Sequence, residues 1–150
     1  YSLETERGGW LNVESIDWFK NFATVCFNEF GNIVKYWITF NEPFQTVMGG
    51  WENGNWPPGL HHNKGRDVYV AAKNILIAHA KVYRLYEEMY KPLYGGNVGI
   101  TLNTDWFEPF DETKPSHVAI AEQSQQFRLG LWASPIFKGD YPEICKDIIL

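Results

Sequence analysis

The sequence predicts an α/β fold in which parallel strands alternate with helices. Two short stretches, residues 33–40 (IVKYWITF) and 98–103 (VGITLN), are β-branched, aromatic and largely apolar. Strands of this composition are typically buried on both faces, as in a parallel sheet. Longer stretches with apolar residues three and four positions apart precede and follow them, which indicates helices with one apolar face. The resulting order of helix, strand, loop, helix, strand, loop and helix favours parallel βα units.

Four helices are expected from this periodicity. The first has Asn12 as its predicted N-cap and ends at Gly31, and the second covers about 68–90. A third covers about 117–131, and a turn then leads to a last helix within 135–150.

Two long stretches have no periodic pattern, 43–66 and 104–116. Each follows the carboxyl end of a predicted strand, where parallel α/β folds place their chemistry. Loops of this length in a compact domain are usually functional. We therefore expect a functional site at these strand ends.

Composition excludes several classes of protein. The net charge is −5 and no run of Lys or Arg occurs, so nucleic acid is not an expected partner. No apolar run reaches the roughly 18 residues that a membrane-spanning helix needs, so no transmembrane segment is expected. Aromatic residues make up 17% of the chain, which indicates either a densely packed core or flat apolar faces for sugar rings. Cys26 and Cys145 are expected to be free thiols.

The end of the first predicted strand, ITFNEPF, changes abruptly from apolar to polar residues. Pro43 cannot donate a strand hydrogen bond, and it is expected to hold Glu42 in an extended conformation. A carboxylic acid in an apolar mouth can donate a proton near neutral pH, because desolvation disfavours its charged form. Asn41 would supply directed hydrogen bonds to a substrate hydroxyl. On the residues alone, Asn-Glu-Pro could equally be a turn that ends the strand.

Strand alternation predicts which of these side chains share a face. One face would carry Lys35, Trp37, Thr39 and Asn41, and the other Tyr36, Ile38, Phe40 and Glu42. The alternation is expected to relax at the last residues, so that Asn41 and Glu42 both reach the mouth.

Five stretches together resemble one family. ITFNEP, preceded by FGNIVKYW, is similar to the acid/base motif of glycoside hydrolase family 1, the β-glucosidase family. Further similar segments occur in the order in which the family has them: GGWLN with WFKNFATVCFNEFG, AAKNILIAHAKVYRLY, VGITLNTDWFEP and FRLGLWASPIFKGDYPEI. The resemblance covers essentially the whole chain.

The resemblance implies a fold and a reaction. The chain would be part of a single TIM (β/α)8 barrel domain, about units 3 to 5, with no internal domain boundary across 1–150. The family hydrolyses β-glycosides with retention of configuration and without a cofactor, so the implied partner is a small-molecule β-glycoside or oligosaccharide. Glu42 would act as general acid and then general base, and Asn41 would bind the sugar 2-hydroxyl.

A retaining mechanism requires a second carboxylate about 5 to 5.5 Å away. The family carries it in a Thr/Ile-Glu-Asn-Gly motif on a later strand, and no such motif occurs here. Glu52 in WENGN has a superficially similar sequence, but no buried strand precedes it, so we do not expect it to be the nucleophile. The chain is therefore expected to be one part of a longer barrel, and inactive by itself.

Other candidate residues have structural alternatives. By the resemblance, Asn103 and Trp106 line the region for the leaving group, although core packing would also explain Trp106. His79 lies on an apolar helical stripe and is expected to be a core histidine with a satisfied hydrogen bond. His61 and His62 are adjacent, but no Cys or further His stands at ligand spacing, so no metal site is expected.

The resemblance leaves one functional alternative, a non-catalytic klotho-type relative that binds a sugar or a protein. The presence of Glu42 favours the enzyme. Family members act both inside cells and after secretion, and similarity to animal digestive members favours a secreted, extracellular protein here.

Overall fold

The computed structural model describes residues 2–60 and 63–149. They form two compact units, and the boundary in the chain lies between Thr101 and Leu102. None of the helices in these two ranges is long and apolar enough to cross a membrane.

The first unit contains both strands and the predicted helices before each of them. Its elements are α1 (Ser2–Thr5), a 3-10 turn (Gly9–Leu11), α2 (Ser15–Phe30), β1 (Tyr36–Asn41), α3 (Pro43–Val47), a π-helical turn (Met48–Glu52), α4 (Asp67–Leu85), a second π-helical turn (Tyr86–Tyr90), α5 (Lys91–Tyr94) and β2 (Asn97–Thr101). The predicted alternation of helices and strands is confirmed.

Two local predictions in this unit are wrong. Helix α2 begins at Ser15, and Asn12 instead closes the turn before it, with its Oδ1 accepting a hydrogen bond from the Glu14 amide at 2.9 Å. Residues 43–52, predicted to be irregular, are helical. Pro43 occupies the first helical position, where its missing N–H costs nothing, and the helix is too short to show an apolar period.

The two strands pair in parallel, as predicted, but with an irregular register. Tyr36 pairs with Asn97 and Ile38 with Gly99, whereas Asn41 pairs with Thr101. Two residues of β1, Thr39 and Phe40, therefore lie opposite the single residue Ile100, which is a β-bulge.

The prediction that β1 is buried on both faces is wrong. Tyr36 and Ile38 are strongly exposed, because β1 pairs only with β2 among the residues described. The other face packs on α2, where the Trp37 ring meets Phe27 edge-on with centroids 5.1 Å apart. Phe27 also contacts Tyr86 and Tyr90, and this aromatic cluster fixes β1 against α2 and the π-helical turn that follows α4.

Lys35 fixes the beginning of β1. Its Nζ donates hydrogen bonds to the carbonyl oxygens of Gly31 at 3.1 Å and Tyr94 at 2.9 Å. These carbonyls lie where α2 and α5 end, so the cation satisfies groups that have no partner within their own helices and complements two helix dipoles.

The second unit is helical. It contains α6 (Pro115–Gln125), a π-helical turn (Gln126–Gly130), α7 (Leu131–Lys138) and α8 (Glu143–Ile149). The third and last predicted helices are confirmed, although the turn predicted from residue 135 is wrong. Helix α7 continues through Pro135 and ends at Gly139, whose φ of 83° is a conformation that glycine adopts readily. Cys145 in this unit and Cys26 in the first are free thiols.

Candidate active site

The backbone at Glu42 has a strained conformation. With φ 48° and ψ 56°, it is the one non-glycine residue of 2–60 and 63–149 with a positive φ. The expectation that Pro43 holds Glu42 extended is therefore wrong. Proline disfavours the right-handed helical region for the residue before it and biases that residue towards extended backbone, but this local bias is overridden at Glu42.

Two hydrogen bonds account for the left-handed choice. The Glu42 amide donates to the carbonyl oxygen of Thr101 at 2.9 Å, which continues the pairing with β2. The Glu42 carbonyl accepts from the Gln45 amide at 2.9 Å, which opens α3. One residue thus ends a strand and caps a helix, and only a sharp turn of the backbone allows both.

This conformation costs about 1–3 kcal/mol for a residue with a side chain. Glycine would adopt it without that cost, so the glutamate at this position is a candidate functional residue. The Glu42 side chain is half-buried, and the neighbouring Asn41 is exposed.

The bulge changes the faces predicted for β1. Trp37 and Phe40 would lie on opposite faces of a regular strand, yet both contact α2, Trp37 through Phe27 and Phe40 through Phe19. The ring centroids of Phe40 and Phe19 are 4.4 Å apart and stacked. The face assignment is therefore wrong at Phe40, because the extra residue interrupts the alternation, whereas Thr39 keeps the predicted face of Trp37 through its contact with His79 of α4.

Two residues that the sequence did not single out support this strand end. The Trp10 ring packs edge-on against Phe40, with centroids 5.3 Å apart. The Trp10 carbonyl accepts a hydrogen bond from the buried Asn74 Nδ2 at 2.8 Å, which ties the 3-10 turn to α4. A polar residue on the apolar face of α4 is the signal that could have identified Asn74.

His79 is a core histidine with a satisfied hydrogen bond, as predicted. It is 5% exposed, and its Nδ1 lies 2.9 Å from the Thr39 Oγ1. Burial lowers the pKa of the imidazole, because the charged form would lose its hydration.

Glu52 has a structural contact in the loop that follows α3. Its Oε2 accepts a hydrogen bond from the Gly65 amide at 2.8 Å, which closes the loop over residues 53–64 at its two ends. Trp51 is buried beside it, whereas Trp56 is exposed.

The second unit carries the other two predicted site residues. The Asn103 Oδ1 is buried and has no hydrogen-bond partner among the described residues. Trp106 is 78% exposed, so it is not a core residue of this chain, and its Nε1 donates to the Glu108 Oε1 at 3.2 Å.

The loop with these two residues is fastened to the helices of its own unit. Gln125 Nε2 donates to Thr104 Oγ1 at 3.0 Å, and Arg128 Nη2 pairs with Asp105 Oδ2 at 2.9 Å. Thr104 and Asp105 lie between Asn103 and Trp106 in the sequence, so these two contacts hold that part of the loop in place.

No group of three His, Cys, Asp or Glu residues within 2–60 and 63–149 is arranged to hold a metal ion. His61 and His62, for which no metal site was expected, lie outside the described residues.

Comparison with known proteins gives a consistent result. Residues 1–149 match the sequence model of Glycosyl hydrolase family 1. The human Lactase-like protein is 43% identical over 147 residues, which are 98% of this chain and 26% of that protein. Beta-glucosidase 4 of Oryza sativa subsp. japonica is 39% identical over 98% of this chain and 30% of its own length.

Solved structures agree with the sequence comparison. A GH1 beta-glucosidase from the fungus Humicola insolens, crystallised in complex with glucose, superposes with a TM-score of 0.92 at 34% identity. The superposition covers 98% of this chain and 32% of the fungal one.

The chain thus spans between a quarter and a third of the length of these relatives. The predicted fold, part of a (β/α)8 barrel, is confirmed. Because the family model matches from the first residue to residue 149 and the backbone matches solved members, this chain belongs to glycosyl hydrolase family 1.

Proposed function

We propose that the full-length protein carrying this chain hydrolyses β-glycosidic bonds with retention, and that Glu42 is its general acid and base. The observation that carries the proposal is the strained left-handed backbone of Glu42 at the bulged end of β1. Strain of this kind persists where the surrounding structure enforces it, and it clusters at active sites.

In the first step, the protonated Glu42 carboxyl gives its proton to the glycosidic oxygen. The bond from C1 to that oxygen breaks, the alcohol leaves, and C1 forms an ester with a second carboxylate from another part of the full-length protein. In the second step, the Glu42 carboxylate takes a proton from water while the water oxygen attacks C1. The ester bond breaks, and the sugar is released with its original configuration.

The geometry of Glu42 suits these two steps. Its amide and carbonyl are both hydrogen-bonded, and the buried Pro43 follows it, so the backbone that carries the carboxyl is fixed. An acid on a fixed backbone has less freedom to lose when the transition state forms, which is the basis of catalysis by positioning.

We assign substrate binding to three further residues. Asn41, exposed beside Glu42, would bind the sugar 2-hydroxyl. In the second unit, the buried Asn103 Oδ1 offers an acceptor to a sugar hydroxyl, and the exposed Trp106 ring offers an apolar face to the leaving group. The substrate is a small-molecule β-glycoside or oligosaccharide, and a glucoside is supported by the glucose bound in the fungal relative. The chemistry uses carboxyl groups alone and needs no cofactor.

We further propose that residues 1–150 belong to one (β/α)8 domain, at about units 3 to 5 of the barrel. The proposed location is extracellular, after secretion, with the cytoplasm as the alternative. The enzyme is favoured over a klotho-type binding protein because Glu42, the proposed general acid and base, is present.

The stereochemistry of the product tests the proposed reaction. When the full-length protein hydrolyses an aryl β-glucoside inside an NMR tube, we expect the anomeric proton of β-glucose to appear first and that of α-glucose to grow later by mutarotation. Immediate formation of α-glucose would contradict retention, and the absence of turnover on any β-glycoside would contradict the reaction itself.

The 150-residue chain alone is expected to be inactive on the same substrate. It supplies one of the two carboxylates that retention needs, and its Glu-Asn-Gly glutamate, Glu52, binds the Gly65 amide. Phenolate release would be measured beside the full-length protein as the positive control. Turnover by the short chain at a comparable rate would show that its nucleophile had been missed.

A further inference from the structure

A short chain of polar groups runs from α4 into the bulge that precedes Glu42. His79 Nδ1 lies 2.9 Å from Thr39 Oγ1, and Thr39 Oγ1 donates to the Gly99 carbonyl oxygen at 3.2 Å. His79 is on α4, Thr39 is one of the two bulged residues of β1, and Gly99 is on β2. Three elements of the first unit therefore meet at one hydroxyl.

The directions of these hydrogen bonds follow from one another. The single hydroxyl proton of Thr39 points to the Gly99 carbonyl, so its oxygen can only accept from the imidazole. The proton of the histidine must then be on Nδ1. Burial lowers the pKa of His79, which supports a neutral ring with a single N–H.

The location of Thr39 gives this contact its consequence. Thr39 and Phe40 together face the single residue Ile100, so the normal ladder is interrupted at this point. A hydroxyl that bonds a β2 carbonyl from inside the interruption stabilises the bulged register over the regular one. Since a register shift of one residue moves side chains to the opposite face of a strand, loss of the bulge would displace both Asn41 and Glu42.

We propose that His79 and Thr39 are positioning residues for the acid/base, holding the bulge that sets the direction of the Glu42 carboxyl. The inference rests on the proposed role of Glu42. Neither residue needs to touch substrate: the ring of His79 fixes the Thr39 hydroxyl, and the hydroxyl fixes the register.

A positioning role and a merely structural role differ in a measurable way. Loss of folded protein lowers the rate for every substrate by one factor. Displacement of the general acid lowers kcat/KM selectively for substrates whose leaving group must be protonated, such as an alkyl β-glucoside. An aryl β-glucoside with an acidic phenol leaves without that proton and serves as the internal reference.

The test is Thr39→Val in the full-length protein, which keeps the branched shape and removes the hydroxyl. We expect the ratio of kcat/KM for the alkyl substrate to that for the aryl substrate to fall by about tenfold, less than the roughly hundredfold that a 1 Å misplacement can cause. Thr39→Ser restores the hydroxyl and should keep the wild-type ratio.

A matched control is Thr24→Val on α2. The Thr24 Oγ1 also donates to a backbone carbonyl, that of Lys20 at 2.8 Å, and is also half-buried. Its removal should leave the substrate ratio unchanged. His79→Phe, which keeps a ring but removes the donor, should lower the ratio as Thr39→Val does, and the double variant should be no worse than either single one, because both act through one contact.

The outcomes separate this inference from the proposed function. If Glu42→Gln lowers the ratio and Thr39→Val does not, the positioning role is overturned while the acid remains. If Glu42→Gln leaves the ratio unchanged, the acid role itself is wrong. Equal losses for both substrates in Thr39→Val, with a lowered melting temperature, would also overturn the inference and leave a purely structural contact.

Discussion

Replacing Glu42 by glutamine in the full-length protein is expected to lower kcat/KM for an alkyl β-glucoside by about a hundred- to ten-thousandfold, the usual contribution of a positioned general acid. Glutamine keeps the size of the side chain and cannot donate a proton of comparable acidity. kcat/KM reports the step in which the leaving group departs, so an aryl β-glucoside with an acidic phenol should be much less affected. The measurement is a series of aryl and alkyl glucosides ordered by leaving-group pKa.

The same variant should respond to a small anion. Once a good leaving group has departed, Glu42→Gln lacks the base that activates water, so the glycosyl ester accumulates. Azide needs no base to attack C1, and it should restore turnover and yield a β-glycosyl azide. Equal slowing of all leaving groups, with no azide product, would contradict the acid/base assignment.

A surface carboxylate provides the control for this substitution. Glu87 forms a partly exposed ion pair with Lys91 one helical turn away, at 2.7 Å. Such pairs contribute about 0–1 kcal/mol to stability. Glu87→Gln should therefore retain the wild-type dependence of kcat/KM on the leaving group, and azide should not change its turnover. A loss in both variants would indicate a general sensitivity to removal of negative charge rather than loss of an acid.

The order of elements could be predicted from periodicity because helices α2 and α4 bury one face over many turns. The same patterns located Asn41 and Glu42 at the end of a strand. Helix α3 escaped prediction because one or two turns are too short to show a period, and its start depends on the Glu42 carbonyl accepting from Gln45.

The geometry of the site could not be predicted, because long-range contacts decide it. The local rule for a residue before proline favours extended backbone, and the left-handed conformation of Glu42 depends instead on its hydrogen bond to the Thr101 carbonyl. The bulge depends similarly on β2. His79 could be recognised as a core residue from its stripe, but its partner Thr39 is 40 positions away.

The exposure of apolar residues on β1 likewise depends on contacts with elements distant in the sequence. The strand composition predicts burial on both faces, and Tyr36 and Ile38 would satisfy that prediction if further elements covered them. The composition of a strand reflects the environment in which that strand is stable. Among the described residues, β1 has one neighbouring strand, β2.

The second large effect is expected from Asn41→Ala, and it can be tied to one hydroxyl of the substrate. Hydrogen bonds to the sugar 2-hydroxyl strengthen as positive charge develops at C1, and loss of one such bond typically costs about a hundred- to a thousandfold. We therefore expect kcat/KM for an aryl β-glucoside to fall by that factor, with no selectivity for the leaving group.

The matching 2-deoxyglucoside identifies the cause of that loss. It lacks the hydroxyl that Asn41 would bind, so wild type and Asn41→Ala should hydrolyse it at similar, low rates, and the two deletions should not add. Asn97→Ala, an exposed asparagine at the other end of the sheet that pairs with Tyr36, is the control and should behave as wild type on both substrates. If Asn41→Ala slowed the glucoside and its 2-deoxy analogue by the same factor, Asn41 would support the strand end and not bind the sugar. The 2-deoxy analogue has no 2-hydroxyl, so a variant that loses only the contact with that hydroxyl cannot slow its hydrolysis.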